Sequence, residues 1–158
     1  MVTYIVSEDG INLIKAWEGI VDGDPSTVLL EPYLDPIGLP TIGWGHLVKA
    51  NEDFGDGISL EDADRLLRFD AAHMANAVRS SISRTDLSQK QFDSLVSFSF
   101  NVGHQNFKTS TLLLWVNAGD RDLKIPQQFT KWVNAGGRPF KGLARRRLAE
   151  ASMWIEGC

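Results

Sequence analysis

The spacing of apolar and polar residues predicts helices along most of the chain. A first helix is expected after Ser7, which can cap it; acidic residues follow in its first turn, and Gly19 ends it. A second helix begins at the capping residue Ser59, with an acidic residue at its third position, and runs past Val78. Such caps and apolar stripes are typical of amphipathic helices that pack on a core.

The second half of the chain continues this helical pattern. Ser88 opens a helix with apolar residues at helical spacing, and Gly103 closes it. Two shorter helices are predicted within residues 110–119 and 125–137, each stopped by glycine. A final helix starts near Gly142. The predicted fold is therefore α+β and mainly helical.

Residues 31–46 depart from this pattern and predict a β-hairpin. The short segments EPYLD and TIGWGH flank PIGLP, whose proline and glycine residues force the chain to reverse. A chain of this length fits one domain that can be divided into two lobes. We expect a single domain over residues 1–158, with a small β lobe at about 19–58 and a helical lobe at about 59–158 that also takes in the N-terminal helix.

The composition is that of a globular protein. Apolar residues make up 43% of the chain and charged residues 23%, which argues against disorder. The N-terminal region contains Glu8, Asp9 and Glu18, so it lacks the features of a secretory signal. The longest apolar run, residues 112–116, is too short to cross a bilayer. We therefore expect a soluble protein made in the cytoplasm.

Charge is distributed unevenly along the chain, whose formal net charge is −4. Residues 1–120 carry a net charge of −9, whereas residues 121–158 carry +5. A basic C-terminal region can hold an anionic polymer, either nucleic acid or cell-wall glycan, and it can equally be a solvated helix face. Charge alone leaves both interpretations open.

The chain offers little for metal or redox chemistry. Its single cysteine, Cys158, cannot form an intrachain disulfide. His46, His73 and His104 are spread out without metal-ligand spacing, so no metal site is predicted. His46 is interpreted as a hydrogen-bonding residue at the base of the hairpin.

Glu18 is the first candidate for chemistry. It shares a face of the first helix with Ile11 and Ile14, and it lies at the C-terminal end of that helix. An apolar surrounding and the negative end of the helix dipole both disfavour a charged carboxylate, which suits a general acid. From the helix alone, an ordinary glutamate at the edge of an amphipathic face is the alternative.

Several motifs together indicate a family. The segments LIKAWEG, YLDPIGLPTIGWGH, LSQKQFDSLVSFSFNVG and GLARRRLAE follow one another along nearly the whole chain. In this order they resemble the phage-type lysozymes, the endolysins of glycoside hydrolase family 24. The resemblance implies a lysozyme-like fold with a small N-terminal β-hairpin lobe and a larger C-terminal helical lobe.

The resemblance also implies site residues. Carried over by position, Glu18 is the catalytic acid, and Asp35 and Thr41 hold and orient the attacking water. Sixteen residues separate Glu18 from Asp35, more than the family usually has. We interpret residues 20–32 as an insertion ahead of an intact hairpin. The insertion leaves three rival carboxylates for the second role: Asp22, Asp24 and Glu31.

Other residues are assigned less directly. Asn101 matches a polar position of the family and is predicted to bind substrate, with helix capping as the alternative. One of the three consecutive arginines is expected to help hold Glu18 or the glycan, and the sequence leaves open which; they are Arg145, Arg146 and Arg147. Four tryptophans in helical apolar patterns are predicted to be core residues: Trp17, Trp115, Trp132 and Trp154.

The function implied by the resemblance is host cell lysis. The expected reaction is inverting hydrolysis of the β-1,4 bond between N-acetylmuramic acid and N-acetylglucosamine in bacterial peptidoglycan, without metal or organic cofactor. The expected protein is a monomer that binds peptidoglycan strands, with no nucleic-acid partner and no membrane insertion. It would accumulate in the host cytoplasm and reach the cell wall through a separate pore-forming holin.

Two other functions compete with this one. A lytic transglycosylase would cleave the same bond with one glutamate, and the Asp35 and Thr41 pair argues against it. A non-catalytic module that binds glycan or nucleic acid would use the basic C-terminal region and would need neither Glu18 nor the hairpin residues.

Overall fold

The computed structural model of the protein describes residues 3–158. The chain forms two compact units, one made by Lys15–Ala71 and the other by the residues up to Ile14 together with Ala72–Cys158. Both boundaries fall inside helices, namely α1 (Glu8–Glu18) and α2 (Leu60–Ser81). No described helix combines the length and the apolar character needed to cross a membrane.

The unit Lys15–Ala71 contains a three-stranded antiparallel sheet. Its strands are β1 (Tyr33–Leu34), β2 (Pro40–Ile42) and β3 (His46–Leu47), and they neighbour one another in chain order. The predicted hairpin is present, but TIGWGH is not one strand. Two of its glycines adopt positive φ angles, +64° at Gly43 and +80° at Gly45, and the chain turns there to begin β3.

The loop between α1 and β1 is tied down at several points. The Gly23 amide donates to the Glu31 carbonyl at 3.1 Å, which closes the loop at its base. Leu30 and Ile58 exchange two backbone hydrogen bonds of 2.8 Å, so the loop is also joined to the segment before α2. Residues 20–32, predicted as an insertion, therefore form an ordered and hydrogen-bonded structure.

The other unit is built around α3 (Gln89–Val102) and α7 (Lys141–Glu156), which pack against each other. Ser88 and Gln91 form a reciprocal capping box at the start of α3. The remaining elements are α4 (His104–Lys108), α5 (Thr111–Ala118), a short 3₁₀ helix (Asp122–Lys124), α6 (Ile125–Phe129), β4 (Asn134–Ala135) and β5 (Arg138–Pro139). Large aromatic side chains fill the core of this unit, among them Phe92, Phe98, Phe107, Phe129 and Trp154.

The mainly helical α+β fold is confirmed, with two local differences from prediction. The helix expected over residues 125–137 is wrong beyond Phe129, where α6 ends. Gly136 and Gly137 both have positive φ angles, 58° and 77°, and make the two-residue turn that joins β4 to β5. The short helix α4 was not predicted, because five residues carry too little periodicity to be recognised.

His46 ties the sheet to its surroundings within the unit Lys15–Ala71. The ring is buried; its Nδ1 lies 2.7 Å from Asp70 Oδ2, and its Nε2 lies 2.9 Å from Glu52 Oε2. Burial opposes charge on the imidazole, but the hydrogen bonds and charges of Glu52 and Asp70 outweigh it and raise the pKa of His46. The predicted structural role of His46 is confirmed.

The raised pKa makes stability depend on pH. Because the folded state binds the His46 proton more tightly than the unfolded state does, this stabilisation is complete below the ordinary pKa of 6.5 and is lost as pH rises through the folded-state pKa. We expect the thermal unfolding midpoint to fall over that window, and to fall less in Asp70→Asn. Asp62→Asn, which removes an exposed ion pair from the same helix, should keep the wild-type pH dependence. Identical pH dependence of wild type and Asp70→Asn would contradict this account.

Candidate functional site

Glu18 is the last residue of α1 and is half-exposed. Ile11 and Ile14, on the same helix face, are buried, so Glu18 lies at the edge of the apolar stripe and not within it. Its Oε2 atom is 3.5 Å from the position that a Cβ atom would take on Gly45. The carboxylate therefore lies against the turn between β2 and β3.

Asp35 shapes the hairpin turn with one of its two carboxylate oxygens. Its Oδ1 accepts hydrogen bonds from the amides of Ile37 at 2.9 Å and Leu39 at 2.8 Å. Within residues 3–158, no hydrogen bond reaches Oδ2. One oxygen is thus used by the fold, and the other remains available to a ligand or water.

Thr41 is buried on β2, and its hydroxyl is already oriented. The hydroxyl donates to the Leu39 carbonyl at 2.9 Å. Because a hydroxyl has only one hydrogen, Thr41 Oγ1 can offer a further partner only its lone pairs. Leu39 therefore connects the two candidates, since its amide binds Asp35 and its carbonyl binds Thr41.

Tyr33 joins these residues, although sequence reasoning did not single it out. It lies directly opposite Thr41 in the β1–β2 register, so the two side chains project from the same face of the sheet. Burial raises the pKa of the Tyr33 phenol, and the negative charges of Glu18 and Asp35 raise it further. Tyr33 is thus within electrostatic reach of both carboxylates. Its position two residues before Asp35 was the available signal.

Two of the rival carboxylates are occupied by the loop itself. Asp22 Oδ1 accepts from the amides of Asp24 at 3.1 Å and Glu31 at 3.0 Å. Asp24 Oδ1 accepts from both the hydroxyl and the amide of Ser26, which lowers the pKa of Asp24. Glu31 is half-exposed, and its carboxylate forms no hydrogen bond with the described residues. Asp22 and Asp24 therefore have local structural roles.

Asn101 lies in the other compact unit, near the end of α3, and is exposed. Its Oδ1 accepts from Arg147 Nη2 at 3.0 Å, so its amide nitrogen keeps two hydrogens to donate. Asn101 lines a concavity of about 340 Å³ with Val102, Asn106, Trp132, Asn134, Ala135 and Leu143. Trp132 is half-exposed there, and so are Trp17 and Trp115, so the core prediction is right only for Trp154.

The three consecutive arginines differ in burial. Arg145 is exposed, whereas Arg146 and Arg147 are buried beside Glu150 on α7. Glu150 Oε1 lies 3.1 Å from Arg146 Nε, and Glu150 Oε2 lies 2.8 Å from Arg147 Nε. Ser97 adds a hydroxyl donor at 2.8 Å from Oε1. Arg147 is therefore held on one side by Glu150 and orients Asn101 on the other.

Glu150 can be tested by stability. In Glu150→Ala, two buried guanidinium groups lose the Glu150 carboxylate, so we expect the free energy of unfolding to fall by about 3–5 kcal/mol in denaturant titrations. Glu156→Ala, also on α7, removes only a surface ion pair with Lys90 and should change stability little. If the two substitutions lowered the free energy of unfolding equally, the buried cluster would be no more important for stability than a surface ion pair.

No cluster of three or more histidine, cysteine, aspartate or glutamate residues suited to a metal ion occurs in the described part of the chain. In the unit Lys15–Ala71, the candidate residues supply carboxylates and a hydroxyl. Groups of these kinds can transfer protons and position water.

Comparison with known proteins assigns the chain to a family. The family model described as phage lysozyme matches residues 24–150. The chain belongs to the phage lysozyme family. The match includes Asp35, Thr41 and Asn101 and begins after Glu18. The family resemblance inferred from the motifs is confirmed.

Endolysins from two phages align over most of the chain. The endolysin of Bacillus phage B103 is 38% identical over 96% of this chain and 54% of its own length. The endolysin of Acyrthosiphon pisum secondary endosymbiont phage 1 is 36% identical over 94% of this chain and 97% of its own. The chain thus spans about half the length of the Bacillus phage B103 relative and nearly all of the other.

A solved structure extends the similarity to the fold. The muramidase domain of SpmX from Asticaccaulis excentricus superposes with a TM-score of 0.80 at 36% identity. The superposition covers 97% of this chain and 99% of that domain. The lysozyme-like fold expected from the family resemblance is therefore confirmed.

Proposed function

We propose that the protein is an endolysin-type lysozyme that hydrolyses the β-1,4 bond between N-acetylmuramic acid and N-acetylglucosamine in peptidoglycan. The observation that carries the proposal is the grouping of Glu18, Asp35 and Thr41 around Tyr33 within one compact unit. The relatives named endolysin and muramidase support it. We further propose that residues 1–158 act as one catalytic domain and as a monomer.

Glu18 is proposed as the general acid. Cleavage of a glycosidic bond requires a proton on the leaving oxygen while positive charge develops on the sugar. Glu18 supplies that proton from the end of α1, beside the β2–β3 turn. The rigid helix on one side and the glycine turn on the other restrict where its carboxyl group can lie.

Asp35 and Thr41 are proposed to hold the attacking water. A water that donates one hydrogen to Asp35 Oδ2 and the other to Thr41 Oγ1 keeps its oxygen lone pairs for the sugar. The Oδ1 atom of Asp35 already accepts from the amides of Ile37 and Leu39, and the Thr41 hydroxyl already donates to the Leu39 carbonyl. Attack by this water, with Asp35 as base and counter-charge, gives inversion at the anomeric carbon.

Asn101 and exposed cations are proposed to bind the polymer. The amide nitrogen of Asn101 can donate to acceptor oxygens of the glycan. Five exposed cations follow between residues 124 and 145 and form no ion pair with the described residues: Lys124, Lys131, Arg138, Lys141 and Arg145. Peptidoglycan carries carboxylates on its peptides, so these cations favour the polymer over a neutral glycan.

The proposed setting is host lysis. The enzyme would accumulate in the host cytoplasm and reach the cell wall through a holin. A soluble cytoplasmic stage and a separate release step are part of the proposal, and the relatives named endolysin support it.

If Glu18 is the general acid, a nearly isosteric substitution of this residue should greatly reduce lytic activity. Glu18→Gln keeps the shape of the side chain but cannot donate the proton, so lysis should fall by about 10²- to 10⁴-fold. Turbidity loss of outer-membrane-permeabilised Gram-negative cells measures this, with thermal unfolding as the control for the fold. Activity near the wild-type level in a folded variant would refute the acid assignment.

The insertion provides a test of the second carboxylate. Asp35→Asn keeps the Oδ1 acceptor for the hairpin amides but loses the negative charge, so hydrolysis should fall by about 10²-fold or more. Asp22→Asn also keeps its acceptor and is the matched control, expected within about twofold of wild type. Asp24→Asn and Glu31→Gln should behave like the control. If Asp35→Asn stayed active and one of the loop variants lost hydrolysis, the assignment of Asp35 by its match to the family motif would be wrong.

A further inference from the structure

Tyr33 has a donor that the fold does not use. Its side chain is half-buried, and its hydroxyl forms no hydrogen bond with any of residues 3–158. The other tyrosine, Tyr4, is buried and donates to the Leu87 carbonyl at 3.1 Å. A partly buried phenol commonly has a hydrogen-bond partner, so the unused donor of Tyr33 points to a ligand.

The location of Tyr33 relates this donor to the site. Tyr33 and Thr41 are cross-strand partners, and Asp35 follows Tyr33 by two residues in an extended chain. The Asp35 amide donates to the Leu39 carbonyl at 2.9 Å, which continues the pairing of the two strands beyond Tyr33. The three side chains therefore lie on the same side of the hairpin.

We propose that the Tyr33 hydroxyl donates a hydrogen bond to the glycan and orients the sugar between Glu18 and the water held by Asp35 and Thr41. The inference rests on the proposed function and adds a positioning residue to it. The acceptor would be a hydroxyl or acetamido oxygen of the polymer. Tyr33 does not take part in proton transfer.

Chemistry favours the sugar over the other acceptors nearby. A hydrogen bond to the Glu18 carboxylate would stabilise its charged form and oppose its role as an acid. A hydrogen bond to the attacking water would occupy a lone pair that the water needs for attack. Burial and the charges of Glu18 and Asp35 raise the pKa of the phenol above its ordinary value of 10.0, so Tyr33 keeps its proton as a neutral donor.

The test compares Tyr33→Phe with Tyr4→Phe, which removes the same hydroxyl from the chain's other tyrosine. On a soluble peptidoglycan oligosaccharide, Tyr33→Phe should lower kcat/KM by about 3- to 10-fold, the effect of one neutral hydrogen bond. The loss should be the same factor at every pH, because the phenol does not titrate in the working range. Tyr4→Phe should lower the unfolding midpoint and leave the kinetics unchanged.

Two results would overturn the proposal. Wild-type kinetics in Tyr33→Phe would remove any role for the hydroxyl, and a shifted pH profile would mean that Tyr33 acts on Glu18 or Asp35 and not on the sugar. Failure of the proposed function is distinguishable, because Glu18→Gln and Asp35→Asn would then stay active. If those two variants lose activity and Tyr33→Phe keeps the wild-type kcat/KM, only the role of Tyr33 is wrong.

A titration that needs no activity checks the geometry. In the Tyr4→Phe background, Tyr33 is the only phenol, and its ionisation can be followed by ultraviolet absorbance. We expect its pKa to fall when Glu18→Gln or Asp35→Asn is added, since each substitution removes a negative charge. An unchanged pKa in both would place Tyr33 away from the carboxylates and overturn the proposal.

Discussion

The Asp35 carboxylate carries the constraint on which the site depends. One oxygen is bound by two amides of the hairpin turn, and this fixes where the other oxygen points. The same turn presents the Leu39 carbonyl to Thr41, so the hydroxyl is oriented by the residue that also binds Asp35. Side chains placed by a two-residue strand would otherwise be loosely held, and these short links give them the rigidity that the proposed positioning of water demands.

Buried charge is the second recurring feature, and each compact unit has its own example. In the unit Lys15–Ala71, His46 is enclosed by Asp70 and Glu52, and the sheet is thereby joined to α2. In the other unit, Glu150 is enclosed by two arginines, one of which also orients Asn101. Such clusters add little net stability when complete, but losing one member is costly. They fix side-chain positions more than they strengthen the fold.

Sequence patterns correctly predicted the features that depend on neighbouring residues, such as helix starts and chain reversals. Helix caps at Ser59 and Ser88 and the reversal at 36–40 were recognisable, because capping and turn formation need particular residues at fixed spacing. The break in TIGWGH and the hairpin after α6 were not predicted, because the sequence pattern indicates one strand over TIGWGH and predicts Gly136 and Gly137 as the end of a helix. Recognising them required knowledge of which strand each segment pairs with.

The site was predictable in its residue types but not in its contacts. Glu18, Asp35 and Thr41 came from motif resemblance, whereas the shared use of Leu39 is a tertiary fact that no spacing reveals. Tyr33 was not singled out and Trp132 was predicted to be a core residue, although both are half-exposed, because the sequence does not report burial. The three arginines illustrate the same limit: adjacent in the chain, they lie in different environments.

The central claim is that a water held by Asp35 and Thr41 attacks the sugar directly. It is tested most directly by the configuration of the first product, observed by proton NMR during rapid digestion of a peptidoglycan oligosaccharide. Direct attack by water on a β-linked sugar predicts that the α-anomer of the new reducing end appears first and then equilibrates. Initial release of the β-anomer would indicate a covalent intermediate, and a 1,6-anhydro end would indicate that no water takes part. Either result would contradict the account.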